Sequence, residues 1–180
     1  MSALARPRRT SRCRAAFAAL ALALGLAGAA DAAPAIDSGL GDGLDGALAA
    51  WAEVWSPGSD LESFDAERLA RVYDRKNLTS LDTNAPEGTI IEGFDAYAAT
   101  WVPYLRWGGH WETLSVKVID GRVAGDAAWV ALRFRATDAP AEVADRTVYD
   151  NQATLVLHRE DAAWRIVHEH VSTPRDGAAR

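Results

Sequence analysis

The stretch WRIVHEHVSTP, Trp164 to Pro174, sets three ionisable residues side by side: His168, Glu169 and His170. It alternates like a strand. Strict alternation puts Trp164, Ile166, His168 and His170 on one face, and Arg165, Val167, Glu169 and Val171 on the other. Two imidazoles two residues apart on a strand can chelate a metal ion. A complete site needs further ligands, and His110, His158 and scattered carboxylates lack the spacing of a zinc motif. We therefore read both histidines as structural, hydrogen-bonded near a dimer-facing or helix-facing surface, and expect neither a metal nor another cofactor. Glu169 is a different case, because alternation sets it on the face opposite the histidines, beside Val167 and Val171.

The elements that must position these groups follow from periodicity. LDGALAAWAEVW carries Leu44, Leu48, Trp51 and Trp55 at helical spacing, and Pro57-Gly58 stops it. SFDAERLARVYD predicts a second helix with Ser63 as N-cap, burying Phe64, Leu69, Val72 and Tyr73. NLTSLDT reads as a short strand and NAPEG as a turn. GFDAYAATWVPYLRW is a third helix with Phe94, Tyr97, Trp101 and Leu105 on one stripe, kinked or ended by Pro103. From Glu112 the pattern becomes alternating, with strands at ETLSVKVID, AWVALRFRAT and TVYDNQATLVLHR, and a tight EDAA hairpin into Trp164–Ser172. In AWVALRFRAT, Val130, Leu132 and Phe134 share one face, opposite Trp129, Ala131, Arg133 and Arg135. Helices followed by long antiparallel strands describe an α+β domain.

Composition narrows the function classes. RPRRTSRCR followed by AAFAALALALGLAGAA and the small residues of ADA has the form of a cleaved secretory signal over residues 1–32. Its apolar run is too short and alanine-rich for a spanning helix, so no stable membrane anchor is expected. The expected location is periplasmic or secreted. Residues 33–43 read as a flexible leader and 175–180 as a tail. The net charge of −6 argues against a nucleic-acid partner, whose phosphates need a basic face. Cys13, the single cysteine, lies inside the signal, so no disulfide, thiol nucleophile or cysteine–metal site is expected after cleavage.

The element order, with EGFDAY after a short strand and LVLHREDAAWRIVHEHVSTP at the end, resembles the nuclear transport factor 2-like superfamily. The SnoaL-like proteins and the association domain of calcium/calmodulin-dependent protein kinase II are the branches it resembles most, over residues 44–174. The resemblance implies a cystatin-like α+β barrel: a cone-shaped, curved antiparallel sheet wrapped around N-terminal helices, with a pocket at the open end. It also implies dimerisation through the sheet. Of the pocket arginines of the kinase domain, the resemblance matches only Arg133; Leu155 and Val171 occupy the other two positions.

By the same resemblance Glu169 shares a face with Arg133 and Val171. Glu169 and Arg133 could pair and neutralise each other, the pair could anchor a polar ligand group, or Glu169 could serve as a general base with a raised pKa. Tyr97 and Trp101 lie on the helix that roofs the pocket in such proteins, and Tyr149 and Asn151 open the strand beside Arg133. With Trp129 these residues form an expected cavity for a flat, partly apolar small molecule. Three functions compete. The leading one is a non-catalytic module that binds a small molecule, since the sequence shows no complete acid–base or nucleophile arrangement. The second is a cofactor-free lyase or isomerase, with Glu169 or His110 as base and Tyr97 or Tyr149 polarising an oxygen. The third is a structural oligomerisation module. The expected partners are a small-molecule ligand and a second copy in a homodimer or small homo-oligomer.

Overall fold

A computed structural model describes residues 36–41, 43–85 and 89–173; the expected signal and the C-terminal tail lie outside the described residues. The chain is α+β. Helix α1 (Leu44–Val54) buries Leu44, Leu48 and Trp51, the stripe its spacing dictates. A 3-10 turn (Leu61–Ser63) leads to a helix of only four residues, α2 (Ala66–Leu69). Its cap is Asp65, whose carboxylate accepts from the Arg68 N–H at 2.8 Å, so the expected Ser63 start is corrected. The expected continuation to Asp74 also fails, for a backbone reason. Val72 and Asp74 exchange hydrogen bonds with Ile166 (2.8 and 2.9 Å), which pulls Tyr73 out of a helix and into a parallel bridge.

Strands β1 (Thr79–Asp82) and β2 (Thr89–Glu92) precede helix α3 (Phe94–Gly108), which starts after Gly93 and stops at the left-handed Gly109. Pro103 sits inside α3 without ending it. The buried stripe of Phe94, Tyr97, Trp101 and Leu105 spans both sides of the proline, and its burial offsets the lost backbone hydrogen bond. Four long strands follow: β3 (Glu112–Ala124), β4 (Ala127–Thr137), β5 (Val148–Glu160) and β6 (Ala163–Ser172). The EDAA hairpin between β5 and β6 turns through Asp161 and Ala162, both at positive φ.

The six strands form one curved sheet in the order β2-β1-β6-β5-β4-β3. Two of its features lie beyond the alternation pattern: β2 is an additional strand, and β1 runs parallel to β6, with Ser80 opposite Glu169 and Asp82 opposite Val171. The inner face is apolar and carries Val130, Leu132 and Phe134 from β4 and Ala153, Leu155 and Leu157 from β5. The helices pack on this face. Ahead of α1, the leader is partly seated on the domain: Leu40 lies so close to Gly121 that an added Cβ would stand 2.6 Å from its methyl group.

One irregularity decides the chemistry of the domain. Leu157 pairs with Ile166, but Val156 pairs with His168, so Val167 is an extra residue in β6. This β-bulge breaks the two-residue period. Trp164 and Ile166 face inward before it, and Glu169 and Val171 face inward after it. Uninterrupted alternation would have set Glu169 on the face opposite Trp164.

Candidate functional site

Glu169 is 1% exposed and accepts hydrogen bonds from three elements. The Trp51 indole N–H reaches its Oε1 at 3.2 Å from α1, and the Tyr73 hydroxyl donates to the same oxygen at 2.9 Å from the bridge beside β6. The Tyr97 hydroxyl donates to Oε2 from α3. Behind them the Trp55 indole N–H donates to the Tyr73 oxygen at 2.8 Å. The tyrosine rings lie 4.7 Å apart. Burial pushes the Glu169 carboxyl up to about 7; the charge of Asp82 adds to this, while the bonds from Tyr97, Tyr73 and Trp51 oppose it. Burial, and the carboxylate beside them, hold both tyrosines well above 10.

Glu169 forms part of the wall of a cavity of about 140 Å³. Its aromatic walls are Trp51, Trp55, Trp101, Tyr104, Trp111 and Phe134, with Leu105 and Val171 between them. Its polar lining is Asp82, Asn84, Tyr149, Asn151 and Thr173. Asp82 is 5% exposed, and burial raises its carboxyl to about 6 against the lowering effect of Asn84, whose backbone N–H donates to it at 2.7 Å. The Thr173 hydroxyl stands between the amide oxygens of Asn84 and Asn151. Tyr149 stacks on Trp111 and donates its hydroxyl proton to Asp138 at 2.7 Å. Trp101 is 4% exposed, and its indole N–H has no acceptor among the described residues.

Of the residues expected from sequence, Glu169, Trp101, Tyr149 and Asn151 meet on this cavity, and Tyr97 stands behind it on Glu169. Two expectations are corrected. Arg133 and Trp129 point to the outer face of the sheet, where Arg133 borders a polar groove with Ser115, Lys117 and Gln152. The inner face of β4 takes the uncharged set of Val130, Leu132 and Phe134, and a guanidinium stays in water. The Glu169–Arg133 pair therefore does not form; tyrosine and tryptophan donors hold the carboxylate. His110 is buried away from the cavity lining, with Nε2 3.6 Å from Glu112 Oε2. His168 meets the Thr79 hydroxyl at 2.9 Å, and among the described residues no group of His, Cys, Asp and Glu could hold a metal ion.

Sequence reasoning missed Asp82, Asn84 and Tyr73 as site residues. The signal was faint: TSLD alternates so that Ser80 and Asp82 share a face, an unusual acid for a strand bordered by apolar elements.

The geometry can be set beside known proteins. The sequence profile of the SnoaL-like domain family matches residues 59–176. The chain belongs to that family. Solved structures agree on the architecture. This SnoaL-like domain is similar to a nuclear transport factor 2-like superfamily protein from Salmonella enterica serovar Typhimurium, with a TM-score of 0.54 and 14% identity, covering 75% of this chain and 93% of the other. A putative calcium/calmodulin-dependent protein kinase type II association domain from Thiobacillus denitrificans aligns with a TM-score of 0.55 and 19% identity over 71% of this chain and 94% of that one. A cystatin-like protein from Caulobacter vibrioides gives 0.54 and 15%, over 76% and 91%. At these identities the likeness establishes the fold of the SnoaL-like domain, and its chemistry has to be argued from the cavity. No curated protein matches the sequence.

Proposed function

We propose that this domain admits a small, mostly apolar molecule to the indole-walled cavity and exchanges a proton with it through Glu169, as a lyase or isomerase acting next to a carbonyl. One observation carries the reading: a carboxyl raised to about 7 forms part of a cavity wall, fixed by donors from α1, α3 and the Tyr73 bridge. A base needs a pKa near the working pH so that it can both take and return the proton. The three donors stabilise the carboxylate before it accepts a proton. After transfer the proton resides on Glu169 and returns to a neighbouring carbon or to a leaving group.

The test is solvent exchange. In D2O, small ketones and hydroxyketones incubated with the protein should gain deuterium at the carbon next to the carbonyl, read by NMR. Glu169→Gln should slow that incorporation by about 10²–10⁴-fold. No incorporation across the panel, or incorporation that Glu169→Gln leaves unchanged, rejects the catalytic reading. A binding module without turnover is the second reading. The observation favouring it is that Glu169 is nearly inaccessible and already engaged by three donors.

We propose in addition that a second copy covers the outer face of the sheet, where Trp129 is 38% exposed. Light scattering at micromolar concentration should give twice the chain mass, and Trp129→Asp should halve it. A wild-type monomer would exclude this arrangement.

A further inference from the structure

We infer that the cavity is built for a small organic cation bearing one neutral oxygen, such as an amino or quaternary ammonium alcohol, ether or ketone. This rests on the reading of the cavity as a ligand site and supplies the class of molecule. Charge, ring content and an unused donor lead to it independently.

Charge comes first. Two carboxylates, Asp82 and Glu169, form part of one wall, each at most 5% exposed. Among the described residues lining the cavity there is no lysine, arginine or histidine. Buried charges are paired or lose their charge. Among the described residues Glu169 has its three side-chain donors, but Asp82 has only Asn84. The cavity therefore lacks a positive charge, which a cationic ligand supplies. An anion would face both carboxylates with nothing opposite. The chain carries a net charge of −6, and its field draws cations toward the protein.

The walls give the second line. Trp51, Trp55, Trp101 and Trp111 all contribute to the lining. An indole face is the best aromatic partner for a cation, and rings grouped around a pocket are the usual receptor for alkylated ammonium groups. A neutral apolar ligand would fill the same space without using that attraction or relieving Asp82.

The third line is Trp101. Its buried N–H lacks an acceptor among the described residues, whereas the hydroxyls of Tyr73, Tyr97 and Tyr149 all donate to carboxylates. An unmet buried donor calls for an acceptor. Repulsion from Asp82 and Glu169 excludes a ligand carboxylate, so a neutral oxygen fits. Size sets the scale: a dry cavity of about 150 Å³ holds a benzene molecule, and this one measures about 140 Å³.

Choline and its uncharged isostere 3,3-dimethylbutan-1-ol make the comparison, titrated at mildly alkaline pH by calorimetry and tryptophan fluorescence. Choline should bind about thirtyfold more tightly, the factor given by a desolvated cation over an indole. Asp82→Asn should remove most of that preference without weakening the alcohol, and the alcohol's binding also shows that the variant is folded. Trp101→Phe keeps a ring but removes the N–H, so it should weaken choline about fivefold more than tetramethylammonium, as loss of one hydrogen bond does. Equal affinity for choline and the alcohol overturns the cation assignment, as does a preference that survives Asp82→Asn. Equal weakening of both cations by Trp101→Phe overturns the oxygen. Binding of the alcohol alone sinks the class and leaves the ligand site standing. If neither probe binds, the ligand-site reading fails as well. A negative deuterium-exchange result alone leaves the cation inference intact.

Discussion

The folded domain should lose stability as the pH rises from 5 to 8, the reverse of what paired surface carboxylates produce. Glu169 titrates near 7 in the fold, against an ordinary value of 4.5. A carboxyl raised by folding contributes stability below its unfolded pKa, and that contribution disappears as the pH climbs through its folded pKa. The window for Glu169 runs from 4.5 to about 7, and that for Asp82 from 3.8 to about 6. At about 1.4 kcal/mol per pH unit, Glu169 should cost about 2–3 kcal/mol between pH 5 and 8, and Asp82 about another 1 kcal/mol. The tyrosines facing Glu169 from α3 and the Tyr73 bridge are held well above 10 and stay neutral throughout. Urea unfolding across this range should show the decline, and Glu169→Gln should leave only the smaller Asp82 part. A stability that rises with pH in the wild type, or a decline that Glu169→Gln does not reduce, means that Glu169 keeps an ordinary pKa and is not the proton carrier.

Deletion of Val167 and His168 together should abolish the cooperative fold. β6 then alternates strictly with one residue too few, so keeping Trp164 and Ile166 inward turns Glu169 and Val171 outward and His170 into the core. The tyrosine and tryptophan donors would then lose their acceptor, and an imidazole would be buried among leucines. Each unpaired buried polar group costs about 1–3 kcal/mol, and several together reach the 5–15 kcal/mol that holds a domain folded. The comparison variant lacks Val167 alone: it loses the bulge but alternates with Trp164, Ile166, Glu169 and Val171 all inward, and it should melt cooperatively near the wild-type temperature. Circular dichroism and thermal melting of the two variants separate the effect of facing from that of shortening. A double-deletion variant that melts cooperatively near the wild-type temperature would show that the strand can slip without harm.

The same bulge explains where sequence reasoning succeeded and where it stopped. Periodicity located the stripes of α1 and α3 and paired Val130 with Leu132 and Phe134, because those residues answer to one local period. It could not say which face of β4 was inward, and the arginine favoured by resemblance drew Trp129 and Arg133 to the wrong side. It placed Glu169 and Val171 together correctly but opposite Trp164, since an inserted residue leaves no mark in an alternating string. Asp82 was invisible because it reaches the cavity through a parallel pairing with a strand far along the chain. Tyr73 looked like one more helical core residue, and only the bridge to Ile166 reveals its hydroxyl as a donor to Glu169.

The distances in sequence between Glu169 and its donors also bear on how the molecule is made. Trp51 lies 118 residues before it, Tyr73 96 and Tyr97 72. A ribosome therefore releases all three donors long before their acceptor emerges. Until β6 is synthesised, β1 lacks its parallel neighbour, the aromatic wall has no floor, and β5 presents an open edge. Contacts so distant along the chain close slowly, because the loop entropy must be overcome before any contact forms. Before β6 is added, the indoles it covers and the β5 edge it pairs have no cover from it, the kind of surface that chaperones hold and that aggregates when they do not. Completion of the cavity and completion of folding are, for this chain, one event.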